Sequence, residues 1–237
     1  MHAALALATA DGTMPAHLFM PEGRPKGGLI FYMDAFGQRP ELDGMAARYA
    51  DAGYAVYLPD LYYRLGSPRF AIPQDAHGPL DPAMGEANTA TTVEMTIADT
   101  EAILAHARDI PRFGAVGYCM GARHALGAAA SHGATIRAAS CLHGGRMVWD
   151  APNSPHRYIP RVAGELYFGF AADDETCPDA HKALIERTMA EAGTRGRTEH
   201  YAAAHGWTFP TRWCHDKPAA DLAFARILDL LARNVAG

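Results

Sequence analysis

Residues 113–124, Phe-Gly-Ala-Val-Gly-Tyr-Cys-Met-Gly-Ala-Arg-His, constrain the fold more than any other stretch of the chain. The apolar run up to Tyr118 reads as a buried strand and the Ala-rich run after Met120 as a helix, with Gly117, Cys119 and Gly121 marking the junction. The G-x-C-x-G spacing has a steric cause. A nucleophile on a strained strand-to-helix turn leaves no room for side chains two positions before and after it. Such a turn also aims the backbone N–H of Met120 at whatever the sulfur attacks, and the positive end of the following helix favours a thiolate at Cys119. A buried free cysteine at an ordinary junction would explain the pentapeptide too, so a base and an orienting acid must be sought elsewhere in the chain.

The remaining chain alternates strands and helices. Residues 2–9 and 13–20 flank Asp11-Gly12, a hairpin signal. Residues 28–33 form a continuous apolar run, as expected of a strand covered on both faces, and stop at Asp34-Ala35-Phe36-Gly37. Leu42, Met45, Ala46 and Tyr49 have helical spacing between Pro40 and Gly53, and 55–58 reads as the next strand. Residues 59–88 contain Pro68, Pro73, Pro79 and Pro82 and no sustained period, so they are expected to form a cover loop. Thr91-Thr92-Val93-Glu94 has capping-box spacing and opens a helix that ends before Pro111. Beyond the cysteine, strands are expected at 138–142, 166–170 and 198–201. Helices are expected from Pro178 to Gly193 and around Phe224, Leu228, Leu231 and Val235.

This order predicts an α/β fold. A mainly parallel sheet carries helices on both faces and an antiparallel hairpin at its N-terminal edge, all in a single domain over residues 1–237. In such sheets ligands bind at the C-terminal ends of the strands, where Asp34, Cys119, Asp174 and His205 all fall. A thiol needs a base, and the base needs an acid to fix its tautomer. Of twelve histidines, His205 alone follows a late short strand in a Gly-flanked loop, and the order Cys, Asp, His is that of α/β-hydrolases. Asp173 and Asp174 compete for the acid's place.

The net charge of −5, with dispersed Lys and Arg, gives no basic stripe for nucleic acid or an anionic membrane surface, which leaves a small molecule as the expected partner. Cys119, Cys141, Cys177 and Cys214 form no C-x-x-C and the histidines no ligand spacing, so neither a metal nor another cofactor is expected. Residues 1–10 lack the Lys or Arg of a signal peptide, and no run approaches the roughly 18 apolar residues of a membrane span. A cytoplasmic protein, monomeric or weakly self-associating, is expected.

The chain resembles the dienelactone hydrolases, cysteine-nucleophile members of the α/β-hydrolase fold. The resemblance rests on Gly117-Tyr118-Cys119-Met120-Gly121, Pro59-Asp60-Leu61-Tyr62-Tyr63-Arg64, Asp34-Ala35-Phe36-Gly37, and the regions around Asp174…Pro178 and His205-Gly206. It implies hydrolysis of an ester or lactone through a thioester on Cys119, with His205 as base and Asp174, four residues before Pro178, as the acid. The backbone N–H groups of Met120 and Ala35 are implied as the oxyanion hole. A family Glu that contacts the thiol and takes its proton is replaced here by Asp34, whose reach is shorter by about 1.5 Å, one C–C bond; His205 acting alone is the alternative.

Substrate contacts are expected at Arg64, Trp207 and Phe209, the first and last at positions the resemblance marks. Arg64 matches a carboxylate-binding Arg, whereas a second such Arg falls on Phe209, with Arg212 nearby but out of register. Substrate choice is therefore expected to shift toward neutral or apolar esters. His143 and Trp149 read as pocket walls or plain packing. Two other readings compete with this one. Class I glutamine amidotransferases share the elbow but place a Glu two residues after the catalytic His, where Trp207 stands here. A non-catalytic binding protein of the same fold would not need an intact elbow, acid and base.

Overall fold

The computed structural model describes residues 1–236. Eight strands form one sheet: β1 (His2–Thr9), β2 (Gly12–Phe19), β3 (Gly28–Tyr32), β4 (Ala55–Pro59), β5 (Phe113–Tyr118), β6 (Ile136–Leu142), β7 (Glu165–Asp173) and β8 (Gly196–Ala204), in the order β1-β2-β4-β3-β5-β6-β7-β8. β1 and β2 pair antiparallel around the Asp11-Gly12 turn and β2 joins β4 antiparallel. Every other pairing is parallel. β3, β4 and β5 are buried at every position, which is why they read as unbroken apolar runs rather than alternating ones.

Six α-helices accompany the sheet: α1 (Pro40–Asp51), α2 (Pro82–Ala90), α3 (Val93–His106), α4 (Met120–Ser131), α5 (Asp179–Ala192) and α6 (Lys217–Asn234). They divide between the two faces. α1 meets α6 where the Tyr49 and Phe224 rings lie 4.8 Å apart. α3 meets α4 where Thr96 Oγ1 and His124 Nδ1 are 2.8 Å apart, a buried polar pair amid apolar packing. Local signals act as expected: Thr92 Oγ1 caps α3 by accepting from Met95 N at 3.2 Å, and Gly193 closes α5 in the left-handed conformation.

Two expectations need correction. The 59–88 cover is not all loop, because α2 begins inside it, with Asp81 accepting from Ala83 N at 2.9 Å and Pro82 in the first turn. This helix buries only Met84 and Ala87, too little for an apolar period to show in sequence. β8 is longer than the 198–201 expected, since it lies at the sheet's edge with mostly partly exposed residues and so carries polar side chains along both faces. Among the described residues, no helix is long and apolar enough to cross a membrane.

Candidate active site

The elbow's strain is visible in its dihedrals: Cys119 has φ 54° and ψ −113°, a region that costs an ordinary residue about 1–3 kcal/mol. A Cβ on Gly117 would lie 2.0 Å from the Gly121 carbonyl oxygen, and one on Gly121 would lie 2.2 Å from that of Tyr32. The glycines therefore let β5, α4 and the end of β3 converge beneath the sulfur. Met120 and Ala35 are both buried. Neither of their N–H groups has a protein acceptor among the described residues. Tyr62 braces this pair, since its hydroxyl donates to Ala35 O at 3.0 Å and contacts Met120 Sδ at 3.3 Å. A Tyr in a Pro-rich segment carries no periodic signal, so this role is not legible in the sequence.

His205 follows β8 on a turn continued by Gly206, φ 94°. Its Nδ1 lies 2.7 Å from Asp174 Oδ2. Thr176 fixes the other carboxylate oxygen, donating to Asp174 Oδ1 from its N at 2.9 Å and its Oγ1 at 2.6 Å. Asp173 is exposed, so Asp174 alone faces the imidazole. Burial opposes ionisation of both Cys119 and His205, yet their mutual attraction outweighs it. The thiol is held below its ordinary value, and the imidazole, also favoured by Asp174, is pushed up to about 10. Each group thus favours the charged form of the other.

Asp34 is fully buried and accepts from Arg39 Nη1 at 2.6 Å and Nη2 at 3.0 Å, while Arg212 Nη2 is in contact with Oδ2. Its charge acts on Cys119 against the thiolate, and Arg212 acts for it. Neither arginine is marked in the sequence as a partner of Asp34, because no local pattern shows which guanidinium folds back onto a carboxylate at a strand's end. The Arg212 guanidinium stacks on Phe209 at 4.1 Å.

The substrate contacts expected at Arg64, Trp207 and Phe209 are not what the structure displays. Arg64 turns to Asp99, with Nη1 to Oδ2 at 2.7 Å and Nη2 to Oδ1 at 2.9 Å, and its Nε donates to Asp11 Oδ2 at 2.8 Å. Its fork is already filled by protein carboxylates. Trp207 and Phe209 are 0% exposed and pack around His143, whose ring centre lies 4.8 Å and 5.4 Å from theirs and 5.1 Å from that of His205. They reach His205 only through His143, which packs against all three. His143 is likewise buried packing, with Nε2 2.8 Å from Thr208 Oγ1, whereas Trp149 lines a small cavity beside α4.

A cavity of about 700 Å³ opens at the opposite end of the sheet, lined by residues such as Lys26, Tyr57 and Ile110, and contains none of these groups. Chemistry rather than volume locates the site. Among the described residues no cluster of three or more His, Cys, Asp or Glu could hold a metal.

Comparison with known proteins agrees with the architecture of the chain. A Klebsiella pneumoniae crystal structure named as a dienelactone hydrolase superposes with a TM-score of 0.87 at 19% identity, covering 98% of each chain. A dienelactone hydrolase-like promiscuous phosphotriesterase from metagenomic libraries superposes at 0.78 with 18% identity, covering 100% of this chain and 99% of that one. At such identities these likenesses speak for the α/β-hydrolase fold alone. A Methylorubrum extorquens relative carrying the name carboxymethylenebutenolidase is 26% identical over 198 residues, 79% of this chain. The match spans 64% of that relative, less than two thirds of its length. The model of the dienelactone hydrolase family matches residues 14–235, from β2 through the elbow to the end of α6. With that match running through every element that builds the site, the chain belongs to the dienelactone hydrolase family of hydrolases.

Proposed function

We propose that the chain hydrolyses a carboxylic ester or lactone through a thioester on Cys119. The observation that carries this reading is the Cys119–His205–Asp174 arrangement: a strained cysteine whose thiolate is favoured by an imidazole, itself held at 2.7 Å by a buried carboxylate. The Cys119 thiolate adds to the carbonyl carbon, and the oxygen's new charge is taken by the N–H groups of Met120 and Ala35. Each such donor is worth about 3–4 kcal/mol in a transition state. As the C–O bond breaks, the imidazolium passes its Nε2 proton to the departing alkoxide. Water then attacks the thioester, neutral His205 takes its proton, and the acid leaves with Cys119 restored as thiolate. Asp174 keeps the proton on Nδ1 throughout, so Nε2 is the nitrogen that faces the chemistry.

Tyr62, the Gly117/Gly121 pair and the Asp34–Arg39–Arg212 group serve this reading by holding the two donors and the sulfur in place. Intact-protein mass spectrometry with a panel of aryl esters and lactones tests it. An acyl adduct is expected on Cys119 and is absent from Cys119→Ala, which also loses turnover. Turnover that survives in Cys119→Ala removes Cys119 from the reaction.

A further inference from the structure

Arg123 stands one turn along α4 from Cys119, four residues or about 6 Å of helical rise. It is only 5% exposed, and its Nη2 donates to Asn88 O at 2.8 Å and Asn88 Oδ1 at 2.6 Å. Its Nη1 is buried with no partner. Arg39, Arg64 and Arg212 each face a carboxylate, but among the described residues neither Arg123 nor Arg146 is ion-paired. Burial holds the Arg123 guanidinium down at about 10, and Arg146 pushes in the same direction. A fold rarely keeps a buried, half-satisfied cation unless something supplies the missing acceptor.

The surroundings indicate what that is. Arg123 borders a cavity of about 200 Å³ with Asn88 and Thr89 of α2, Thr92 at the cap of α3, Arg146 and Trp149. Arg146 Nη1 donates to Thr89 Oγ1 at 3.0 Å. The one carboxylate in the wall, Glu94, is exposed and accepts from the Tyr158 hydroxyl at 3.0 Å. Two cations and the positive end of the 14-residue α3 thus outweigh one anion. Arg146, in the cavity wall, follows directly on a residue that touches the reacting centre. Gly145, next to Arg146, donates its N–H to Cys119 O at 3.3 Å, and a Cβ placed on it would lie 3.0 Å from Thr176 Oγ1 and 3.7 Å from His205 Cε1.

We infer that Arg123, assisted by Arg146, anchors an oxyanion group of the substrate, a carboxylate or a phosphate carried a few bonds from the ester carbonyl. This rests on the reading of Cys119 as the nucleophile. It assigns the anion site to a place other than Arg64, whose fork is filled, and reverses the expected shift toward neutral esters. The unpaired Nη1 gains most from such a group, because a buried donor without an acceptor carries a desolvation cost that the ligand removes.

The test compares p-nitrophenyl hemiglutarate, whose acyl chain ends in a carboxylate, with p-nitrophenyl pentanoate. The wild type is expected to favour the charged ester by about ten-fold or more in kcat/KM, the range of a hydrogen bond to a charged group. Arg123→Gln is expected to remove most of that preference, chiefly through KM, and Arg123→Lys to restore part of it. Glutarate and inorganic phosphate are each expected to slow iodoacetamide alkylation of Cys119, and the one acting at lower concentration identifies the group. No preference in the wild type with no protection by either anion overturns the assignment, as does a preference unchanged in Arg123→Gln. If that variant does not fold, Arg123→Lys and Arg146→Gln carry the comparison, and a preference intact in both overturns it. Failure of the nucleophile reading looks different: turnover then persists in Cys119→Ala, where the charge preference is still measurable.

Discussion

Arg39 grips Asp34 with both arms of its fork, Nη1 to Oδ1 at 2.6 Å and Nη2 to Oδ2 at 3.0 Å, and this pairing decides what Asp34 can do for Cys119. Arg212 holds the same carboxylate, and Phe36 N donates to Oδ1 at 3.2 Å. With its oxygens occupied by N–H donors, Asp34 acts on the sulfur through charge, and the proposed mechanism therefore gives the proton transfers to His205. Asp34→Asn removes a negative charge that opposes the thiolate. The thiol pKa is expected to fall, read from the pH dependence of iodoacetamide alkylation. Because Arg212 loses its carboxylate and Arg39 is left with Glu41 alone, stability is expected to drop by about 1–3 kcal/mol in urea unfolding. A thiol pKa that rises instead would show Asp34 assisting ionisation.

The pH profile follows from the ion pair. With the thiol below its ordinary value and His205 raised to about 10, the thiolate–imidazolium form persists between those limits. kcat/KM is expected to rise from the acid side with an apparent pKa below the ordinary thiol value of 9.0, as Cys119 loses its proton. It is expected to fall near 10, where His205 loses the proton it must deliver. Asp174→Asn withdraws a charge that favours the imidazolium, so the alkaline limb moves down and the window narrows from that side. The rate should fall on the order of 10²- to 10⁴-fold. A wild-type acid limb at or above the ordinary thiol value would contradict the pairing.

Arg64→Ala separates a structural from a substrate role. Arg64 ties the start of the cover to α3 through Asp99 and to the β1–β2 turn through Asp11. Its loss is expected to cost about 1–3 kcal/mol of stability, mostly through the buried Asp99 left without its partner. The ratio of kcat/KM for a carboxylate-bearing ester to that for its neutral counterpart is expected to stay within about two-fold of wild type, since the guanidinium binds protein carboxylates and not the ligand. A collapse of that ratio would return the carboxylate site to Arg64.

Tyr62→Phe probes the brace between Ala35 and Met120, the donors of the proposed reaction. The variant loses the 3.0 Å hydrogen bond to Ala35 O with little change in packing volume. A loosened donor should lower kcat rather than raise KM, by roughly three- to ten-fold for a hydrogen bond of about 1 kcal/mol. Unchanged kcat would show that the 34–37 loop is held without it.

The elbow, the strand ends and the order Cys, Asp, His are readable in the residues because each has a local cause. Gly117 and Gly121 are needed where a Cβ would strike backbone within 2.2 Å, and β3, β4 and β5 read as apolar runs because both faces are covered. The choice of Asp174 leans on family spacing, and the exposure of Asp173 is seen only in the folded chain. The pairing of charges has no such local cause. Arg64 meets Asp99 across 35 positions, Arg123 meets Asn88 across 35, and Arg212 meets Asp34 across 178. Composition says only that arginines and carboxylates are both present; which guanidinium is neutralised and which is left with an open donor depends on the folded distances. Trp207 and Phe209 show the same limit for apolar groups, since an aromatic side chain next to a catalytic histidine can face substrate or core. Only the packing of His143 between them places both in the core.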